Sequence, residues 1–419
     1  MQFKKTLLAA SLALLSTESF AAAFQLAEQN VSGLGRAYAG EAAVADDASV
    51  VARNPALMSQ FDKAQLSIAA MYVKPDVSLE GESTNNGLDA ELLDDSSIAP
   101  SAVIPAGYFT MPLNEQVSLG FGVFSNFGLS TEFAGDYVAG QIAGETEIVT
   151  INTNVSVAYQ LDEAWTLALG VNHIYADAKV KRTLGANPLG APTSLEAAHL
   201  EGDDTGFGWN LGVAYSLDDY NRLGFHYRSE TDLTFDGEYR NSLPAAFGGL
   251  EGRELPGSLE LTLPAIAEFS GSHQLNKEYG LHYSVVWTGW SSFDKLEAFV
   301  PGVEQPVFEK QEDFSDSIRV AIGGDYQLNS DIKLRAGLAF DESPVSQQHL
   351  SISIPDTDRF WFSFGAEWQL DEASSVDLGA SIIRGKKQSF VESDELGQQW
   401  GFESEGNAYL FGAQYNYSF

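Results

Sequence analysis

Cysteine is absent from the 419-residue chain, which excludes a disulfide framework, a thiolate metal site and a thiol nucleophile. Long apolar runs are missing as well. Beyond the N-terminus no stretch approaches the ~20 apolar residues of a membrane-spanning helix, so a helical membrane protein is excluded. Cations are scarce. The 23 Lys and Arg against 58 Asp and Glu leave a formal net charge of −35, which would repel nucleic acid. The 6 histidines (His173, His199, His226, His273, His282 and His349) show no nucleophile or metal spacing. No enzyme activity, metal or cofactor is therefore expected.

One membrane architecture survives these exclusions. A transmembrane β-barrel needs an apolar residue only at every second position, so ordinary hydrophobic content, here 44%, is compatible with it. The 26 Phe, 16 Tyr and 39 Gly suit aromatic girdles and closely packed strands. The acidic excess reads as solvated loops; a second reading lets some of them meet divalent cations at a lipopolysaccharide surface.

The chain opens with Lys4 and Lys5, an uncharged apolar run from Thr6 to Leu15, and Ser19-Phe20-Ala21 as a small-x-small cleavage site. This reads as a secretory signal peptide over residues 1–21, with the mature protein beginning near Ala22.

A short pattern then recurs: Leu, Asn or Asp, polar residues, an apolar residue. It stands at Leu113-Asn114, Leu161-Asp162, Leu217-Asp218, Leu275-Asn276, Leu328-Asn329 and Leu370-Asp371. Asn and Asp suit tight turns because their side chains bond the backbone two residues on. The flanks alternate with period 2. Trp165, Leu167, Leu169 and Val171 share one face, and Tyr279, Leu281, Tyr283, Val285 and Trp287 share another. Ile332, Leu334, Ala336, Leu338 and Phe340 repeat the pattern. Such alternation over roughly ten residues matches a tilted strand crossing the ~30 Å bilayer core.

Six short turns join twelve strands in pairs. A first strand near residues 65–73, whose partner near 102–111 is the first of the twelve, and a closing C-terminal strand bring the series to fourteen. Long outer loops are expected over 183–203, 241–256 and 298–311. The last strand carries Tyr409, Phe411, Ala413, Tyr415, Tyr417 and Phe419 on one face and ends on Phe. This resembles the signal that the barrel-insertion machinery reads. The fold expected is all-β, a 14-stranded antiparallel transmembrane barrel over residues 63–419. Residues 22–62 lack strand alternation and form either a periplasmic tail or a plug in a lumen too wide for side chains to fill.

Two segments carry a specific resemblance. The first runs through Phe24-Gln25-Leu26, Ser32-Gly33-Leu34-Gly35-Arg36-Ala37-Tyr38, Ala45-Asp46-Asp47-Ala48 and Arg53-Asn54-Pro55-Ala56-Leu57. The second is Ser125-Asn126-Phe127-Gly128-Leu129-Ser130-Thr131-Glu132-Phe133. Ser351-Ile352-Ser353-Ile354-Pro355-Asp356, Asp358-Arg359-Phe360-Trp361 and Phe402-Glu403-Ser404-Glu405-Gly406 follow in order. Together they resemble the FadL-type long-chain fatty-acid transporters of the Gram-negative outer membrane, across essentially the whole mature chain.

The resemblance implies an N-terminal hatch over 22–62 and passive uptake of long-chain fatty acids or similar hydrophobic compounds. Arg182 and Lys310 would hold the ligand head, with Asp341 in the same polar cluster. Read alone, Lys181-Arg182 also suits a solvated pair, and Glu309-Lys310-Gln311-Glu312 an ordinary loop ion pair. The family also implies an inward kink at Asn126-Phe127-Gly128 that leaves a hole in the wall. Asn54-Pro55-Ala56 would pack against that kink, and ligand arrival would shift the N-terminus near Phe24. By pattern alone a bulge or kink is the leading reading, since Phe124 breaks the alternation, and a strand end there is the alternative. The partners implied are the hydrophobic ligand, outer-membrane lipid and lipopolysaccharide, the insertion machinery and, as for any surface barrel, phage. An aromatic-hydrocarbon channel, a porin and an adhesin are the alternatives. No energy-coupling box follows Ala22.

Overall fold

The structure is a computed structural model that describes residues 23–247 and 249–419. The signal peptide expected over 1–21 lies outside them. Fourteen antiparallel strands form a closed barrel. They are β1 (Gln65–Thr84), β2 (Ala102–Pro112), β3 (Val117–Phe124 and Gly128–Glu132), β4 (Glu145–Gln160), β5 (Trp165–Thr183), β6 (Glu196–Asp218) and β7 (Asn221–Arg228 and Thr231–Arg240). There follow β8 (Leu255–Leu263 and Ile266–Gln274), β9 (Tyr279–Thr288 and Lys295–Phe299), β10 (Phe308–Gln311 and Ser317–Gln327), β11 (Ile332–Asp341), β12 (Arg359–Gln369), β13 (Ser374–Gly385 and Gln388–Ser393) and β14 (Gln399–Ser418). β1 closes the barrel on β14, from Gln65↔Ser418 to Thr84↔Trp400.

All six Leu-Asn/Asp turns lie at one end, and each works by the same bond. Asn114 Oδ1 accepts from the Gln116 and Val117 N–H groups at 2.9 and 3.0 Å. Asp162, Asp218, Asn276, Asn329 and Asp371 do likewise for the residue two positions on. The side chain thus satisfies backbone donors that the reversal removes from the ladder. The apolar faces point outward, as Leu169 (65% exposed) and Phe411 (54%) illustrate. Their neighbours Ala168 and Leu410 face in and are buried.

Several strands run longer than the alternation suggests. β1 has 20 residues and β6 has 23, so part of the loop expected at 183–203 is strand. Beyond the bilayer no lipid demands an apolar outer face, and the period-2 signal stops before the ladder does.

Residues 23–62 lie inside the barrel, almost wholly buried. They form two single-turn helices, α1 (Val31–Leu34) and α2 (Val50–Arg53), and a 3-10 turn, Pro55–Gln60. Asn30 caps α1 by accepting from the Gly33 N–H at 2.7 Å. The backbone of this segment touches the wall where the wall has no side chain. A Cβ on Gly337 would stand 2.0 Å from the Arg36 carbonyl oxygen, and one on Gly365 would stand 2.7 Å from Gly35 Cα. Charge does the rest. Arg36 pairs with Asp46 (2.6 Å), Asp325 and Glu41, while Arg335 of β11 pairs with Asp46 (3.4 Å), Glu367 and Asp377.

Candidate functional site

β3 stays paired to β4 along its length but slips by one residue. Phe124 faces Asn152 and Gly128 faces Val149, so residues 125–127 oppose only Thr150 and Ile151. This is a β-bulge, which bends the strand that carries the extra residue. Thr150 fastens it: its Oγ1 donates to the Phe127 carbonyl at 2.6 Å, and its own carbonyl accepts from Ser125 Oγ at 2.6 Å. Asn126 Oδ1 accepts from Asn152 Nδ2 at 2.8 Å. On the other flank the ladder to β2 stops at Gly107↔Val123, although β2 continues back to Ala102. The two strands part there, and the free edge of β3 belongs to the kink.

The N-terminal segment occupies that edge from within. The Leu26 N–H donates to the Asn126 carbonyl at 2.7 Å, and the Gly128 N–H donates to the Phe24 carbonyl at 2.8 Å. Gln25 and Phe127 form the bridge between them. Phe24 has no exposed surface and sits in an aromatic box. Its ring centroid is 4.6 Å from Trp290, 5.2 Å from Phe293 and 6.0 Å from Phe127. Trp290 and Phe293 reach inward because β9 is interrupted over 289–294 by a 3-10 turn. The sequence pattern had no signal for this pair: an interrupted strand has no periodicity to place them.

A cavity of about 390 Å³ is lined in part by Arg182, Phe308, Lys310, Ser353 and Glu392. Arg182, at the outer end of β5, donates to Thr146 Oγ1 (3.0 Å), Ser353 Oγ (3.1 Å) and the Glu145 carbonyl (3.0 Å). Lys310 Nζ lies 3.4 Å from the same Ser353 Oγ and 3.3 Å from Glu392 Oε1. The two cations thus meet on one hydroxyl. The segment between β11 and β12 that supplies Ser353 also supplies Asp356. Asp356 accepts from Ser343 Oγ at 2.6 Å, pairs with Arg359 at 3.3 Å and accepts the Ala23 backbone N–H. Burial pushes the Asp356 carboxyl up to about 6, against the pull of Arg359.

Two placements differ from expectation. Asp341 faces the lumen but does not line the cavity with Arg182 and Lys310. It pairs with Arg359 at 3.5 Å, one hairpin away, where its cross-strand register puts it. Asn54-Pro55-Ala56 makes no hydrogen bond to the kink among the described residues. Asn54 Nδ2 donates to the Val213 carbonyl of β6 at 2.9 Å and to the Ala42 carbonyl at 2.6 Å. The reason is steric: β6 offers Gly212, whose missing Cβ leaves room for Asn54 Oδ1. Contact with the kink falls to Phe24–Leu26 and to Gln29, whose Nε2 donates to the Ser125 carbonyl at 3.4 Å.

Known proteins share both sequence and architecture with this chain. The family model described as "Outer membrane protein transport protein (OMPP1/FadL/TodX)" matches residues 12–419. The "Long-chain fatty acid transport protein" of Escherichia coli O6:H1 is 42% identical over 445 residues, covering 100% of this chain and 99% of that protein. "Outer membrane protein P1" of Haemophilus influenzae is 39% identical over 463 residues, with 100% of both covered. Among solved structures, a Pseudomonas aeruginosa FadL homologue superposes with a TM-score of 0.85 at 23% identity, covering 95% of this chain and 100% of the other. The toluene transporter TodX of Pseudomonas putida gives 0.67 at 17% identity over 92% and 98%. The chain belongs to the outer membrane protein transport family (OMPP1/FadL/TodX), and is a transport barrel of the Gram-negative outer membrane rather than an enzyme.

Proposed function

We propose that this barrel carries long-chain fatty acids passively, binding the head on Arg182 and Lys310 and releasing the ligand sideways through the gap between β2 and β3. One observation carries the reading. Ser353, which touches both cations, and Asp356, which holds the Ala23 N–H, stand three residues apart on one segment. A carboxylate arriving on Arg182 and Lys310 competes with Ser353. Displacing Ser353 shifts Asp356 and loosens residues 23–26, whose ladder partner among the described residues is the kink. Withdrawal of Phe24–Leu26 then joins the pocket to the gap.

The physics suits an amphipathic acid. Each methylene kept from water contributes ~0.8 kcal/mol, and the rings of Phe24, Phe127, Trp290 and Phe293 offer the tail an apolar surface on its way to the gap. A buried head charge needs a partner, and two cations supply it; a hydrocarbon has no charge to pair. Residues 22–62 serve as a hatch that blocks the axial route, so the tail leaves into lipid without crossing water. Two cations at the pocket favour the acid over the aromatic-hydrocarbon alternative.

Filling the gap tests this. Gly128→Arg should abolish oleate uptake by whole cells while leaving the heat-modifiable gel mobility of the folded barrel intact. Normal uptake by that variant would sink the lateral route.

A further inference from the structure

The head-group cavity holds more carboxylates than cations: Glu309, Glu392, Asp394 and Glu395 line it with Arg182 and Lys310, and Glu312 is buried beside it. Lys310 Nζ stands 3.3 Å from Glu392 Oε1 and 3.9 Å from Glu312 Oε1, with Arg182 on the far side of Ser353. Empty and fully ionised, Lys310 and Arg182 are cancelled by Glu392 and Glu312 alone, and the other lining carboxylates leave an anion no net attraction. Glu312 is the anomaly among them. It has no exposed surface, and neither carboxylate oxygen has a hydrogen-bond partner among the described residues. A buried carboxylate in that state is costly. Its backbone N–H donates to the Asp294 carbonyl at 2.8 Å, which fixes the side chain's origin beside the cavity.

The groups around Glu312 come from several elements. Lys310 comes from its own strand β10, Arg182 from β5 and Glu392 from β13. Asp294 lies in the segment bonded to it, and the Asp313–His349 pair (3.4 Å) stands at the rim. Burial pushes the Glu312 carboxyl up to about 7; Lys310 and Arg182 oppose the rise and Glu392 adds to it.

We propose that Glu312 is a third ligand-binding member of this site: it takes up one proton from water as a carboxylic acid ligand binds, and shares that proton with the ligand carboxylate. The inference rests on the fatty-acid reading above. Two cations cancel Glu392 and the ligand anion once Glu312 is neutral. Protonated, Glu312 donates its O–H to one ligand oxygen, while Lys310 and Arg182 donate to the others. No covalent bond to carbon is made or broken. Glu312 thereby sets specificity for a ligand head that accepts this hydrogen bond, and binding weakens as rising pH removes the proton.

Calorimetric titration of the full-length protein in mild detergent with dodecanoate tests this, using two buffers of different ionisation enthalpy at pH 8. The expected result is one proton taken up per ligand bound. Affinity should fall by up to about tenfold per pH unit between pH 7 and 9. Glu312→Gln should bind without proton uptake and lose that pH dependence. No proton uptake by the native protein, or an unchanged pH profile in Glu312→Gln, overturns the inference. If Glu312→Gln does not fold, the native proton count alone decides. Arg182→Ala separates the two levels. Undiminished binding by that variant at every pH brings down the head-group reading itself. Lost binding, with no proton uptake by the native protein, brings down only the role of Glu312.

Discussion

Glu28 in the N-terminal segment is buried with both carboxylate oxygens lacking a hydrogen-bond partner among the described residues. Burial pushes its carboxyl up to about 7, against Arg319, Arg359 and Arg53. The unfolded chain releases this proton near its ordinary value of 4.5, while the folded chain keeps it to about 7. Stability should therefore fall as pH rises from about 4.5 to about 7 and stay level above. Glu28→Gln removes the penalty and should raise stability at pH 8 by roughly 3 kcal/mol, read from urea unfolding at pH 8 and pH 4.5. A gain of equal size at both pH values would count against a buried charge as the cause. At this scale the sequence was partly legible. Asp341 faces inward because Phe340 faces out, and period 2 suffices to say so. Its partner Arg359 lies on the next strand, and only the register of β11 on β12 brings the two together.

The kink in β3 is an element made of two unequal flanks: a bulged ladder to β4 and a hydrogen-bonding edge lent by the N-terminus. Phe24 anchors that lent edge through Trp290 and Phe293. Phe24→Ala should forfeit about 3–5 kcal/mol of packing. Amide exchange at Gly128 and Leu26 should then quicken at least tenfold, with the strand amides of β5 and β6 unchanged. Unaltered protection at Gly128 would mean that other contacts hold the segment. The failed alternation at Phe124 marked the place of the kink in the sequence. Phe124 is buried facing in, its ring 5.7 Å from Tyr108 and under the Arg228 guanidinium. What fills the edge was not legible, since residues 24–26 and 126–128 are distant in the chain and neither has a periodic signal.

Across the whole molecule, the lumen segment is fastened by a buried charge network on one wall. Arg335 joins Asp46 of that segment to Glu367 and Asp377 of the barrel. Removing one member of such a network strands the others, at a cost of about 3–5 kcal/mol. Arg335→Ala should loosen residues 23–62 before the barrel unfolds, and ion conductance should appear in planar bilayers where the native protein is closed. A variant that stays closed would show that the glycine-mediated backbone contacts suffice. The sequence by itself determined the wall: fourteen strands, their faces and the six inner turns. Side-chain alternation and Asx turns are local, and a few residues state them completely. Tertiary structure alone decided what the wall encloses. It set Asn54 on Gly212 and gathered Arg182, Lys310, Ser353 and Glu392 around one cavity, with Glu312 buried beside Lys310. Those residues sit at strand ends, in loops and in the lumen, where no lipid imposes a period and contacts are chosen by barrel closure.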